Sequence, residues 1–239
     1  MASYNYKNFS SKEYELSAFR GPRPGTKAPD AKVARLDGSF RQLLDFSGDF
    51  LVIELGSVTC PLFQSRRNGM AGLVKKHPNT EFVVLYVREA HPGALIPEHE
   101  TMADKLDCAT LVKNDNLQEG REVLVDDLEG SAHAAYGSYP NAVFIVNKQG
   151  CVLFCSDWND PSATGKALDL LEKGKPALVR SIFKPARPPA LIETLRRSGK
   201  GAAADFFKSL PMLIWHNVIR RNLRVLLGAQ PHVPPDAQC

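Results

Sequence analysis

The sequence predicts an α/β domain in which helices flank a central mixed sheet, with a helical extension at the C-terminus. Two continuous apolar runs, DFLVIELG at 49–56 and EFVVLYVRE at 81–89, are typical of strands that are buried on both faces. A helix-like segment separates them, as in a parallel βαβ unit. Further along, NAVFIVN at 141–147 and CVLFCSD at 151–157 flank a Lys-Gln-Gly turn and predict a hairpin.

The remaining elements follow the same order along the chain. KVARLDGSFRQLLDF at 32–46 predicts two short elements around an Asp-Gly turn. Helices are predicted after Cys60, over 98–114, as a short turn over 131–136 and over 162–174, with a further strand over 122–127. We divide the chain into an N-terminal extension (1–30), the α/β domain (31–174) and a basic helical C-terminal extension (175–239).

Composition and charge exclude several classes of protein. The net charge of +4 comes from 30 basic and 26 acidic residues, which is too balanced for a nucleic-acid-binding surface. The start of the chain lacks an apolar signal-peptide core, and no run of about 18 apolar residues predicts a membrane-spanning helix. We therefore expect a cytoplasmic protein with reduced thiols. The five cysteines form no CxxC pair, so we expect neither a disulfide framework nor a metal site.

The first buried strand leads directly to a single thiol, Cys60, between Thr59 and Pro61. Proline is tolerated in the first turn of a helix, so Cys60 is predicted at a helix N-terminus. Backbone N–H groups and the helix dipole there stabilise a thiolate, which predicts a pKa below the ordinary value of about 8.5. Cys60 is thus a candidate nucleophile. The alternative is that it is a small buried hydrophobic residue.

Two further positions relate this site to a known fold. Phe63 stands where a disulfide-exchange enzyme has its second cysteine, so the chemistry needs another residue or an external thiol. A thiol at the end of the first buried strand of this element order is thioredoxin-like. Pro140, directly before the hairpin strands, occupies the position where that fold places a cis-proline.

Four short motifs in the same order resemble the iodothyronine deiodinase family. They are GSVTCPLF (56–63), YVREAHPG (86–93), IPEHETMADKL (96–106) and VLVDDLEGSAHAAYGSYPNAVFIVNKQG (123–150). The resemblance extends over roughly residues 45–173. The chain is similar to bacterial, cysteine-containing members of that family, because Cys60 stands where the vertebrate enzymes have selenocysteine.

This resemblance implies a thiol oxidoreductase in which Cys60 attacks a halogen or another electrophilic atom. It implies that Glu89, His91 and His99 serve in proton transfer and substrate contact, with Thr59, Ser57 and Pro140 as supporting residues. The expected partners are a halogenated aromatic or a peroxide as substrate and an external thiol as reductant, with no bound cofactor. The alternatives are a solvated His99 at a helix start, a loop-capping His91, and a Glu89 that pairs with Arg88 or a surface lysine.

Two other functions stay open at this point. A peroxiredoxin-like peroxidase also places a lone thiol here, and Ser57 stands at the position of its threonine, but Ile53 replaces its proline. An inactive thioredoxin-fold binding module predicts a buried and unreactive Cys60.

Val58 replaces an additional cysteine of the deiodinases, which removes that route to an internal disulfide. Asp126 and Asp127 are interpreted as helix-capping or solvated residues.

The other four cysteines and the C-terminal extension have less specific sequence patterns. Cys151 and Cys155 are predicted on one face of a strand, and Cys108 resolves an oxidised Cys60 only if its helix faces the site. Cys239 is expected to be a flexible terminal thiol in a disordered segment, 231–239. The stretch 204–228 has apolar residues around a basic cluster, which suits a membrane surface, a partner groove, a homodimer or packing against the domain.

Overall fold

The computed structural model describes residues 4–115 and 120–239. The strands are β1 (Lys32–Arg35), β2 (Phe40–Gln42), β3 (Phe50–Gly56), β4 (Thr80–Tyr86), β5 (Glu122–Val125), β6 (Val143–Asn147) and β7 (Val152–Ser156). The helices are α1 (Pro61–Lys76), α2 (Met102–Asp115), α3 (Ser131–Ala135), α4 (Pro161–Leu171), α5 (Pro188–Ser198), α6 (Ala202–Leu213) and α7 (Asn222–Leu227). A π-helical segment, Ile214–Arg221, joins α6 to α7, and a 3₁₀ turn spans Ser11–Glu13.

The strands form one mixed sheet in the order β2-β1-β5-β4-β3-β6-β7. Strands β3, β4 and β5 are parallel, whereas β1 pairs antiparallel with β5, β6 with β3, and β7 with β6. Helices separate the parallel strands, and a hairpin follows them. This is a thioredoxin-like fold, as the sequence predicts.

Strand β3 lies inside the sheet, between β4 and β6, and apart from Glu54 both of its faces are apolar. Leu51, Ile53 and Leu55 pack in one core cluster, while Phe50 and Val52 pack in the other. The chain then leaves the sheet at Gly56, where an added Cβ would collide with the ring of Phe63 in α1. This close approach fixes α1, and therefore its N-terminus, against the carboxyl end of β3.

The prediction that Cys151 and Cys155 share one face is wrong. The β6–β7 register shifts between Ile145 and Val146, and Leu153 is the extra residue in β7. A bulge of this kind reverses the alternation of side chains that follow it. Cys151 therefore packs in the cluster with Leu153, and Cys155 packs against the opposite one.

The expectation of a disordered C-terminus with a free Cys239 is also wrong. The side-chain amide of Asn147 donates to the carbonyl of Pro235 at 2.9 Å and to that of Ala237 at 2.8 Å. These bonds bring the chain end to the start of β7, where Cys239 forms a disulfide with Cys151.

Removal of this disulfide is expected to destabilise the fold. The bond joins cysteines 88 residues apart, so Cys239→Ser should lower the free energy of unfolding by about 2–4 kcal/mol. Thermal unfolding of both proteins, with and without dithiothreitol, measures this. Dithiothreitol should lower the Tm of the wild type and leave the variant unchanged. Equal Tm values without reductant would contradict the expectation.

The C-terminal extension returns to the domain and packs next to α1. Helix α5 contacts α1, and α6 contacts the 3₁₀ turn of the N-terminal extension. Within the described part of the chain, every helix is too short or too polar to cross a bilayer. The two extensions therefore meet on the side of the domain where α1 begins.

Candidate active site

Cys60 occupies the N-cap position of α1, as predicted, and lines a partly open cavity of about 210 Å³. Its side chain is only 2% exposed, which agrees with the alternative that Cys60 is a small buried residue. All three segments of the chain contribute to the cavity. Its lining includes Phe9 and Tyr14 from the N-terminal extension, Cys60, Ala90, His91, Pro140 and Trp158 from the domain, and Phe183, Phe206, Phe207, Leu213, Ile214 and Asn217 from the C-terminal extension.

The predicted lowering of the Cys60 pKa is wrong for this state of the protein. Burial raises the pKa of the thiol to about 11. The backbone N–H groups of Phe63 and Leu62 and the charge of Arg66 act in the opposite direction and are outweighed. The helix N-terminus favours the thiolate, but the apolar cavity removes the water that would solvate it. Cys60 is therefore a protonated thiol at neutral pH.

His91 and Tyr14 are the titratable side chains that share this cavity with Cys60 among the described residues, and His91 is the one that can act as a base. Its ring lies 4.1 Å from that of Phe9 and 5.4 Å from that of Phe206, measured between centroids. Burial lowers its pKa to about 3, so the imidazole is neutral. Within the described residues, Nδ1 of His91 has no hydrogen-bond partner. The side chain lines a cavity and is more than a loop cap.

Glu89 and His99 lie together behind the Cys60 loop and are absent from the cavity lining. Glu89 Oε2 accepts hydrogen bonds from the backbone N–H of Thr59 at 3.0 Å and from its hydroxyl. Glu89 Oε1 accepts from Nε2 of His99 at 3.1 Å and from the Tyr86 hydroxyl. Burial raises the pKa of Glu89, but these hydrogen bonds outweigh it and hold the pKa below its ordinary value. The solvated alternative for His99 is wrong, because its side chain is buried.

Thr59 connects this buried network to the cavity. Its hydroxyl donates to Glu89 and accepts from the backbone N–H of His91 at 3.1 Å. Ser57 acts in parallel, since its hydroxyl accepts from the backbone N–H of Ala90 at 3.2 Å. The loop that carries His91 is thus tied to the loop that carries Cys60. Glu89, Thr59 and Ser57 are positioning residues in this arrangement.

Arg88 does not pair with Glu89. Its guanidinium lies over the rings of Tyr4, Tyr6 and Tyr14, at 5.1, 4.7 and 5.0 Å from their centroids. The Tyr6 hydroxyl also donates to the carbonyl of Ala90 at 2.9 Å. The N-terminal extension therefore holds the outer side of the His91 loop. Only three tyrosines near the start of the chain hint at this role in the sequence.

The expected cis peptide bond before Pro140 is not formed. All peptide bonds of the described residues are trans, which is the more stable isomer for most X-Pro bonds. The ring of Pro140 still lines the cavity, so its place beside the thiol is as predicted.

Asp126 accepts hydrogen bonds from the backbone N–H groups of Ala132 and His133, and thus caps α3, as interpreted from the sequence.

Cys108 lies with Glu89 and His99 and is absent from the cavity lining. Possible ligand atoms of these three residues are within 4.8 Å of one another. Burial and the charge of Glu89 raise the pKa of Cys108 to about 12. The helix of Cys108 therefore faces the positioning network, and not the space in front of Cys60.

The raised pKa of Cys60 predicts how the rate of its alkylation depends on pH. Its alkylation by iodoacetamide should accelerate about tenfold per pH unit between pH 7 and 10 without reaching a plateau, because only the thiolate reacts. Mass spectrometry of the Cys60 peptide at each pH measures the rate, with Cys60→Ala to identify labelling at Cys108 and Cys155. A plateau below pH 8 would contradict the burial argument.

Comparisons with known proteins identify relatives of the domain that carries this site. The sequence profile described as iodothyronine deiodinase matches residues 1–157. Thyroxine 5-deiodinase of Rattus norvegicus is 27% identical over 153 residues, which cover 59% of this chain and 49% of that protein. Thyroxine 5-deiodinase of Aquarana catesbeiana is 31% identical over 147 residues, or 55% of this chain and 53% of that protein. The chain spans about half the length of the curated relatives it matches.

Solved structures support the fold. A hypothetical protein from Sinorhizobium meliloti 1021 superimposes with a TM-score of 0.54 at 18% identity, over 64% of this chain and 86% of that one. An uncharacterized conserved protein from Geobacillus kaustophilus gives the same TM-score and identity, over 64% of this chain and 84% of that one. The profile match covers the strands, α1 and the cavity-lining thiol, and the chain belongs to the iodothyronine deiodinase family.

Proposed function

We propose that the protein is a thiol-dependent oxidoreductase that reductively dehalogenates a small, uncharged aromatic compound at Cys60. The observation that carries the proposal is that Cys60 and His91 face the same apolar cavity. The other polar groups there are engaged. The Tyr14 hydroxyl contacts that of Tyr6 at 2.7 Å, and Trp158 Nε1 donates to Asn217 Oδ1 at 3.0 Å.

The size and lining of the cavity favour one substituted ring. A dry apolar cavity of about 150 Å³ is enough to bind benzene, and this cavity measures about 210 Å³. No charged side chain of the described residues lines it, so nothing there compensates the desolvation of an ionic substituent. A halogenated phenol or a similar compound fits these properties.

In the chemical step the Cys60 sulfur attacks the iodine of an aryl iodide, an S–I bond forms, and the C–I bond breaks with its electron pair on carbon. Because burial makes Cys60 a weak acid and His91 a weak base, the proton moves in concert with this attack and no separate thiolate–imidazolium pair forms. The imidazole of His91 accepts the proton of the thiol and delivers a proton to that carbon. The products are the arene and Cys60 as a sulfenyl iodide, so the ring is reduced and the sulfur is oxidised.

External thiols complete the turnover. A first thiol displaces iodide from Cys60 and forms a mixed disulfide, with release of one proton. A second thiol attacks this disulfide and regenerates the Cys60 thiol. The sum converts one aryl iodide and two thiols into one arene, one disulfide, one iodide and one proton. A single active-site cysteine is sufficient for this cycle. This agrees with Phe63, which stands where a disulfide-exchange enzyme has its second cysteine.

Steady-state iodide release tests the proposal. The purified protein is incubated with 2-iodophenol, which is uncharged at neutral pH, and with dithiothreitol, and iodide is measured with a selective electrode. We expect release that requires the dithiol, is abolished in Cys60→Ala and persists in Cys155→Ala, a matched change at a free cysteine away from the cavity lining.

The two other candidate functions give different results in the same preparation. Consumption of hydrogen peroxide that depends on Cys60, without iodide release, would show that the protein is a peroxidase and not a dehalogenase. Absence of both reactions, with binding of the phenol retained, would replace it with a binding module. Mass spectrometry of Cys60 after each incubation separates these outcomes.

A further inference from the structure

The C-terminal helix carries a continuous apolar face toward solvent. Helices α6 and α7 and the π-helical segment between them form one rod from Ala202 to Leu227. Exposed apolar residues recur every fourth position along it. These residues, here called the outer stripe, are Phe207, Pro211, Trp215, Ile219, Leu223 and Leu227. Trp215 is 54% exposed and Leu227 is 78% exposed.

Three polar residues of the same rod point inward. Ser209 accepts a hydrogen bond from the backbone N–H of Ser11 at 3.3 Å, and Asn217 accepts from Trp158. Arg221 is buried, donates from Nε to Asp157 at 2.9 Å and donates to the carbonyl of Ser181 at 2.6 Å. Together with the apolar residues of the rod that line the cavity, they attach it to the domain. The outer stripe is left exposed, whereas a surface helix usually turns its apolar side to the core, so the stripe is available to another surface.

The charge of the rod indicates which kind of surface the outer stripe binds. Lys208, Arg220 and Arg224 are exposed on the rod, and the sequence contains no acidic residue between Asp205 and Asp236. A second copy of the chain related by a two-fold axis would place these like charges opposite one another. A bilayer with anionic lipids offers complementary charge and an apolar interior.

We propose that the outer stripe lies in the plane of a membrane that contains anionic lipids. The rod binds at the headgroup level, with the stripe inserted and the basic residues at the phosphates. Phe207 and Ile214 are both exposed and line the cavity of Cys60, so binding brings the cavity wall to the lipid surface. The lipid contact itself is independent of the reaction at Cys60.

Sedimentation with vesicles tests this binding. The full chain is mixed with sucrose-loaded vesicles of phosphatidylglycerol and phosphatidylcholine in equal amounts, or of phosphatidylcholine alone. We expect binding to the anionic vesicles that weakens with added salt. Trp215→Ser with Leu223→Ser should lower the partition coefficient roughly tenfold or more. Lys208→Gln with Arg220→Gln should lower it several-fold on anionic vesicles.

A matched control removes two exposed apolar residues elsewhere, Phe40 and Leu178, by substitution with serine, and should bind like the wild type. Trp215 supplies a second readout, because the only other tryptophan, Trp158, is buried. Its emission should shift to the blue and be quenched by brominated lipids. Failure of the wild type to sediment would overturn the proposal. A dimer in size-exclusion chromatography that Trp215→Ser dissociates, without vesicle binding, would assign the stripe to a second copy instead.

Discussion

Replacement of His91 by phenylalanine is expected to lower kcat for iodide release by roughly 10²–10⁴-fold, the range in which a positioned acid–base group contributes. The phenylalanine ring keeps the contacts with Phe9 and Phe206 but accepts no proton from Cys60 and donates none to the substrate carbon. Because the ring fills a similar volume, KM should change much less than kcat. Steady-state kinetics with 2-iodophenol measure both constants.

His77 offers a matched control for this change. It is also buried, but its Nδ1 lies 2.7 Å from Glu172, and it is absent from the cavity lining. His77→Gln should therefore leave kcat near the wild-type value. An unchanged kcat in His91→Phe, or a loss confined to KM, would show that His91 shapes the cavity without moving a proton.

Replacement of Arg121 by methionine is expected to lower the free energy of unfolding by about 3–5 kcal/mol. Arg121 pairs with Glu54 of β3, and both side chains are fully buried. Glu54 Oε1 also accepts from Asn141 at 2.9 Å and from Asn159 at 2.6 Å. Removal of this cation leaves a buried carboxylate whose remaining hydrogen-bond donors, Asn141 and Asn159, are neutral. Urea denaturation at constant pH measures the change.

Lys148→Met is the matched control, because Lys148 also pairs with a carboxylate, Asp49, at 3.1 Å, but both side chains are more than half exposed. An exposed pair of this kind contributes about 0–1 kcal/mol. Similar losses in the two variants would mean that burial of the Glu54–Arg121 pair is not what makes it important. The double variant Glu54→Leu, Arg121→Met should be more stable than the single Arg121 variant, because it leaves no unpaired charge.

The sequence predicts the framework of the site because that framework depends on local patterns. The apolar run before Gly56 defines a strand buried on both faces, and Pro61 marks the first turn of a helix. Together they place Cys60 at the helix N-terminus. The motif around His91 likewise places an imidazole after the next parallel strand, and adjacent parallel strands end at the same edge of a sheet.

Other features depend on contacts between distant segments, which no local pattern reports. The pKa of Cys60 is set by the apolar walls that Phe9, Phe206 and Phe183 bring from the two extensions. The separate faces of Cys151 and Cys155 follow from one extra residue in β7. The order of the C-terminus follows from Asn147 and the disulfide, although the isolated segment 231–239 has the composition of a disordered tail.

A single turnover without external thiol tests the role of Cys60 most directly. The protein is mixed with excess 2-iodophenol in the presence of dimedone, the dehalogenated phenol is quantified, and the cysteines are examined by mass spectrometry. The sulfenyl iodide should hydrolyse to a sulfenic acid, so the expected result is one equivalent of product per protein and dimedone on Cys60. Product formed with an unmodified Cys60, or formed equally by Cys60→Ala, would contradict the assignment of Cys60 as the nucleophile.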